Sequence, residues 1–271
     1  MKHNKRLIVL EFMISATMII AIICIIVSPY SYDAIISEKY ESPSYRHWFG
    51  TDALGRDILV RVSLAYLVSG GISFVAIIFG GLFGTVYGVI AGYYGKKTEA
   101  IMVAVVDVMQ CIPEILLVIF LMVLFNEKLN ITEGNIFGIF IVIILTSWPA
   151  IARVAKNETK KIRTNEYVIY AKKKGASTAY IIFRHILPNI KVQMGSVIAH
   201  RIPKALMVES FLSYIGIGVQ PPFPSLGKMI REGIPVIRTN INVLLFPSIA
   251  IILLVVLFNL MCEAVSSNNE V

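Results

Sequence analysis

Five stretches of the chain are almost uniformly apolar and bounded by polar residues: positions 7–27, 69–93, 101–125, 136–152 and 243–262. Each approaches the roughly 20 helical residues that cross a hydrocarbon core of about 30 Å. A sixth stretch, 192–214, has similar length but is interrupted by His200, Arg201, Pro203 and Lys204. The pattern predicts an all-α membrane protein with six transmembrane helices. It divides the chain into a first helix in residues 1–28, a more polar segment in 29–68, five further spans in 69–264 and a short tail in 265–271.

Composition agrees with this reading, since 56% of the 271 residues are hydrophobic and 15% are charged, well displaced from the averages of soluble domains. The formal net charge of +8 would suit nucleic acid, so its distribution along the chain decides. If the N-terminus is cytoplasmic, six spans place 153–191 on the same side, and that loop carries ten Lys/Arg against Glu158 and Glu166. The Lys96-Lys97 connection falls inside as well, whereas 29–68, with four basic and five acidic residues, falls outside. This is the positive-inside distribution. It accounts for the basic balance without nucleic acid and predicts a multi-pass protein with both termini cytoplasmic. The first apolar run is longer than a signal-peptide core and lacks a small-x-small cleavage site, so it reads as a retained span, with Glu11 near the cytoplasmic edge.

Within the second run Gly80, Gly84, Gly88 and Gly92 recur every fourth residue. They therefore share one helix face, where missing side chains let another helix approach closely. Catalytic motifs are absent: GYYGKKT (92–98) has the wrong spacing for a phosphate loop and follows an apolar run instead of a strand. Asp107 and Glu114 in the third run are seven residues apart and so share a helix face. That face could serve acid–base chemistry but better suits a polar pair facing other helices or a water-lined path. Cys24, Cys111 and Cys262 lie far apart in apolar surroundings, without metal-ligand spacing.

Residues 166–189 read EYVIYAKKKGASTAYIIFRHILPN. Glu166 and Lys172–Lys174 match the two ends of a short helix dipole. Gly175 supplies a left-handed stop, and Ser177 or Thr178 can cap a second helix running toward Leu187-Pro188. The segment predicts a helix, a fixed bend and a second helix, held at the cytoplasmic surface.

This segment resembles the EAA coupling loop of ABC transporter permease subunits. Gly175-Ala176-Ser177 and Phe183-Arg184-His185-Ile186-Leu187-Pro188-Asn189 are similar to the loop of the dipeptide, oligopeptide and nickel importers. The stretches 49–57 (FGTDALGRD), 91–95 (AGYYG) and 212–222 (LSYIGIGVQPP) fit the C-type permease of the same family. The loop carries Ile169-Tyr170-Ala171 where the family has Glu-Ala-Ala, and Arg201 and Lys204 stand where its members are mostly apolar.

The resemblance implies a type I ABC importer transmembrane domain in the bacterial cytoplasmic membrane, without catalytic residues, metal or cofactor of its own. ATP and Mg would be held by one or two partner ATPase subunits. The other partners implied are a companion B-type permease, completing a heterodimeric pore, an extracytoplasmic substrate-binding protein and membrane lipid. Glu166, Tyr170, Ala171, Gly175, Ala176, Ser177, His185, Leu187 and Pro188 would couple the pore to the ATPase. Gly50, Thr51, Asp52, Gly55, Arg56 and Asp57 would form an extracytoplasmic motif, either in local turns and ion pairs or in contact with a partner.

A charge at the centre of a span costs at least about 2.5 kcal/mol, so Arg201 and Lys204 are expected to face water or an acid: Glu114, Glu209 or a companion subunit. Together with Asp107 they would line a translocation path favouring an anionic part of the substrate, such as a peptide carboxylate. Alternatively, the fifth span starts later and both cations sit at the cytoplasmic interface. The competing functions are a membrane-embedded enzyme using Asp107, Glu114 or the His185 and His200 pair, and a stand-alone channel. The substrate itself, whether dipeptide, oligopeptide, nickel or a metal chelate, is not encoded legibly in this chain.

Overall fold

The computed structural model describes residues 2–129 and 136–267; Met1 and the end of the tail segment, 268–271, lie outside the described residues. The chain begins with α1 (Lys2–Val27) and an irregular stretch ending at Asp57. There the Asp57 carboxylate accepts a hydrogen bond from Val60 N at 3.0 Å and caps α2 (Ile58–Tyr94). The cap starts this helix well before residue 69, so the expected boundary at 68/69 falls inside a helix. α3 (Lys96–Cys111), α4 (Glu114–Leu129) and α5 (Ile136–Arg163) follow. Next come the short α6 (Glu166–Lys173) and α7 (Thr178–Ile181), then α8 (Leu187–Ala199), α9 (Arg201–Ile215), α10 (Leu226–Gly233) and α11 (Asn242–Ser267).

Among the described residues four helices are long and apolar enough to cross a membrane: α1 from Arg6, α2, α5 and α11. α3 and α4 pass the same test only as a pair bent by 89°, which gives up to five spans. Two of the six expected spans are thus broken. The run at 101–125 turns at Ile112-Pro113, where Ile112 is extended (φ −87, ψ 128), as the residue before a proline prefers. The bend removes the common helix face expected for Asp107 and Glu114. The run at 192–214 divides at His200, placing Pro203 in the first turn of α9, where its missing N–H interrupts no intrahelical bond.

α2 and α5 form the spine of the fold. A Cβ at Gly84 would stand 2.6 Å from the Trp148 carbonyl oxygen and 3.1 Å from Ile151 Cβ, and one at Gly92 would stand 2.6 Å from the Lys156 oxygen. Gly80 faces Ser147 and Ile144, and Gly88 faces Ala152 and Ala155. The four-residue period of α2 therefore interlocks with a four-residue period on α5, backbone against backbone. Around this spine Ile77, Ile139, Ile143 and Leu206 form a continuous buried core with Leu212, Leu226 and Leu254 from α9, α10 and α11.

Candidate functional site

Three polar constructions stand out on this frame. The first is the elbow that follows α5. α6 ends in a Schellman turn: Gly175 takes φ +83, Gly175 N donates to Lys172 O, and Ala176 N donates to Ala171 O, both at 3.1 Å. The Ser177 hydroxyl accepts from Tyr180 N at 3.2 Å and caps α7.

The second helix does not stop at Leu187-Pro188, as its sequence suggests. It widens into a π-turn over Ile182–Ile186, in which Leu187 N donates to Ile182 O, and continues as α8. The cause is Pro188, which has no N–H to give and whose ring would press on the Arg184 carbonyl four residues back. One extra residue in the turn relieves that clash.

Below the elbow, Val168, Ile181, Ile186 and Ile190 are buried against Val89, Ile151 and Ala155 of the spine, with Ala171, Ala176 and Leu187 packed at the edge. On the other side Tyr170 (59% exposed), Tyr180 (53%) and Phe183 (71%) face outward. Glu166, Gly175 and Pro188 are exposed as well. His185 lies between Tyr167 and Tyr180, with ring centroids at 5.8 and 5.6 Å, and Lys174 Nζ stands 4.8 Å over the Tyr170 ring. The elbow is thus anchored beneath and presents aromatic surface above. Ile186 and Phe183 fall in the 183–189 string that carries the family resemblance, but which of them is buried on the spine and which faces outward emerges only from the packing.

The second construction gathers the 50–57 motif at the opposite end of α2. Thr51 and Asp57 form a short antiparallel bridge, and Gly50 (φ +79) and Gly55 (φ +78) make the turns on either side of Asp52. Thr51 Oγ1 donates to Glu38 O at 2.7 Å and accepts from Glu41 N at 2.8 Å. Asp52 Oδ1 accepts from Leu54 N at 2.8 Å and Arg56 N at 3.1 Å, and its Oδ2 accepts from Arg56 Nε at 2.8 Å. Asp57 Oδ2 pairs with His47 Nδ1 at 2.9 Å. Nearby, the Ser37 hydroxyl holds the Glu41 carboxyl below the usual carboxylate range.

Sequence reading missed the buried Arg61, whose Nε lies 3.2 Å from Asp52 Oδ2 in an ion pair too misaligned for a hydrogen bond. Its Nη2 stands 3.7 Å from Glu232 of α10. Asn240 and Asn242 donate to Tyr40 O and Phe49 O at 2.8 and 2.9 Å, tying the segment to the start of α11. The motif residues are therefore occupied in local turns and ion pairs.

The third construction is charge beside the helix breaks. Asp107 on α3 pairs with Arg153 on α5, both about half exposed. Glu114, the first residue of α4, pairs with Lys204, and Arg201 Nη1 stands 4.0 Å from the same oxygen. A cavity of about 400 Å³ opens beside them, lined by Gln110, Glu114, Thr146 and Arg201. Glu209, grouped with these residues from sequence, is fully buried instead and accepts from Ser210 at 3.2 Å and Ser213 at 3.0 Å. Ser213 Oγ in turn accepts from Val219 N at 3.1 Å, bracing the turn after α9.

His200 Nδ1 contacts Ser196 O at 2.8 Å, a different environment from the aromatic pocket of His185. Among the described residues no group of three or more His, Cys, Asp and Glu could hold a metal.

Residues 84–268 match the family described as "Binding-protein-dependent transport system inner membrane component". The dipeptide transport system permease protein DppC of Bacillus subtilis is 34% identical over 266 residues, covering 96% of this chain and 80% of that protein. The oligopeptide transport system permease protein OppC of the same organism is 34% identical over 251 residues, covering 91% and 79%. The glutathione transport system permease protein GsiD of Pectobacterium atrosepticum is 33% identical over 221 residues, covering 82% and 71%. In fold, the chain is similar to an inward-facing structure of the MetNI methionine ABC transporter, with a TM-score of 0.59 at 20% identity, covering 76% of this chain and 94% of that one. The chain belongs to the binding-protein-dependent transport system inner membrane components and is a membrane-embedded permease subunit of an ABC importer.

Proposed function

We propose that this permease forms one half of the translocation pore of an ATP-driven peptide importer in the bacterial cytoplasmic membrane, with both termini cytoplasmic. A companion B-type permease supplies the other half. One or two ABC ATPases bind ATP and Mg, and an extracytoplasmic binding protein delivers the substrate. The relatives that this chain resembles over most of its length are dipeptide, oligopeptide and glutathione permeases, which favours peptides over nickel or metal chelates.

The observation that carries the coupling role is the elbow, buried on the α2–α5 spine by four aliphatic side chains and exposing Tyr170, Tyr180 and Phe183. An exposed aromatic cluster on a rigid support is suited to docking a protein partner. ATP-driven closure of the ATPases pushes on this surface, and the elbow passes the motion to the spine. The partly exposed pairs Asp107–Arg153 and Glu114–Lys204 then line a polar path facing the companion permease.

Co-expression with a companion permease and a P-loop ATPase should yield a stable complex, and proteoliposomes containing it should take up peptide only with ATP and binding protein. Turnover or ion conduction by the lone chain would sink this reading.

A second measurement addresses the elbow. Pro188→Ala is expected to let the π-turn close into α-helix, rotating the segment before it by about 100° relative to α8. Peptide moved per ATP hydrolysed should fall several-fold; an unchanged ratio would show that the wide turn plays no part in coupling.

A further inference from the structure

α4 and α9 each begin at a helix break, and their first turns meet through side chains. Glu114 Oε2 pairs with Lys204, while Arg201 Nη1 stands 4.0 Å away. Two cations thus share one carboxylate oxygen, leaving an excess positive charge. α4 (16 residues) and α9 (15 residues) both begin here, which adds the partial positive charge of two helix-dipole ends. The Arg201 side chain is 22% exposed and borders the cavity that Glu114, Gln110, Thr146, Leu117 and Pro149 also line. A guanidinium in such a place calls for an anion, and its planar fork matches a carboxylate through two hydrogen bonds.

We propose that Arg201 is a transit site for the carboxylate of a substrate such as a peptide with a free C-terminus. Lys204 is its positioning residue: its closer pairing with Glu114 keeps that carboxylate at the edge of the Arg201 guanidinium and stops it from closing on the fork. This assignment rests on the peptide-importer reading. It gives each member of the trio a different role. Without Arg201 the site is lost. Without Lys204, Glu114 turns to Arg201 and blocks it. Without the Glu114 charge both cations are free, and a passing carboxylate is held more tightly.

The test uses the complete complex in proteoliposomes, with initial uptake of labelled tri-alanine compared with that of tri-alanine amide at sub-saturating concentration. The binding protein is common to all arms, so its own preference cancels between variants. Arg201→Met should lower the acid-to-amide ratio roughly ten-fold, the scale of one charge-assisted contact, and Arg201→Lys should restore part of it. Lys204→Met should lower the ratio as well, whereas Glu114→Gln should reduce the concentration of tri-alanine needed for half-maximal uptake.

An unchanged ratio in Arg201→Met overturns the site. If that variant does not assemble, an unchanged half-maximal concentration in Glu114→Gln overturns it. Failure of the unaltered complex to take up either probe overturns the peptide-importer reading beneath it, and is recognised by the absence of any ratio to compare.

Discussion

Gly88→Leu is expected to leave little correctly folded protein in the membrane. A Cβ at this position meets the Ala152 carbonyl oxygen and lies 2.7 Å from Ala155 Cβ and 2.9 Å from Lys156 N. Backbone atoms have no rotamer by which to yield, so α2 and α5 must part. Parting them also opens the contacts at Gly84 and Gly92, because all three glycines bear on the same helix. Overpacking typically costs about 1–3 kcal/mol and sometimes more; backbone on both sides puts this case at about 3 kcal/mol or above. Gly71, on the same helix but with nothing within 4 Å of its Cβ position, is the control: Gly71→Ala should be neutral or stabilise by up to about 1 kcal/mol. Thermal unfolding in detergent compares the two, and a Gly88→Leu protein that melts with the unaltered one would mean that the spine is not packed as described.

Asp52→Ala should be nearly as damaging, through electrostatics instead of volume. It removes the acceptor for Leu54 N, Arg56 N and Arg56 Nε and the nearest counter-charge of Arg61, whose side chain is only 3% exposed. Glu232, at 3.7 Å, would be its remaining acidic partner. Breaking a buried pair from one side costs about 3–5 kcal/mol, largely because the surviving charge is stranded, while replacing both members by apolar groups is often mild. The double variant Asp52→Ala/Arg61→Met should therefore be more stable than Asp52→Ala alone. Additive losses in that cycle would show that Arg61 does not depend on Asp52.

Where function was legible in the sequence, a local rule was sufficient. The glycine period of α2, the left-handed Gly175, the Ser177 cap and the dipole-matched charges of α6 each follow from a few neighbouring residues. Family membership followed from four short stretches in order. Hydropathy failed where proline acted. The apolar run at 101–125 is long enough to span, yet Pro113 turns it through 89°, and Pro188 widens a helix that it was expected to end.

Partnerships across the fold were the least legible. Glu209 and Glu114 looked equally able to answer Arg201 and Lys204, and only packing puts the first among serines and the second beside the cations. Arg61 gave no signal, because the turn at Asp57 that brings Asp52 back onto it is not visible in hydropathy, and its second acid, Glu232, lies on α10, far away in sequence.

The spine has a mechanical consequence. α2 has 37 residues and so measures about 55 Å at 1.5 Å per residue. Interlocked backbones resist sliding, because sliding would carry each glycine gap onto a neighbouring side chain. They offer no comparable resistance to tilting as one body. Over a rod of that length a tilt of about 5° displaces the far end by about 5 Å, close to one helical turn. If the elbow is pushed as proposed and α2 pivots near Val89, where the elbow is seated, the Asp57 end would move by the size of a gate.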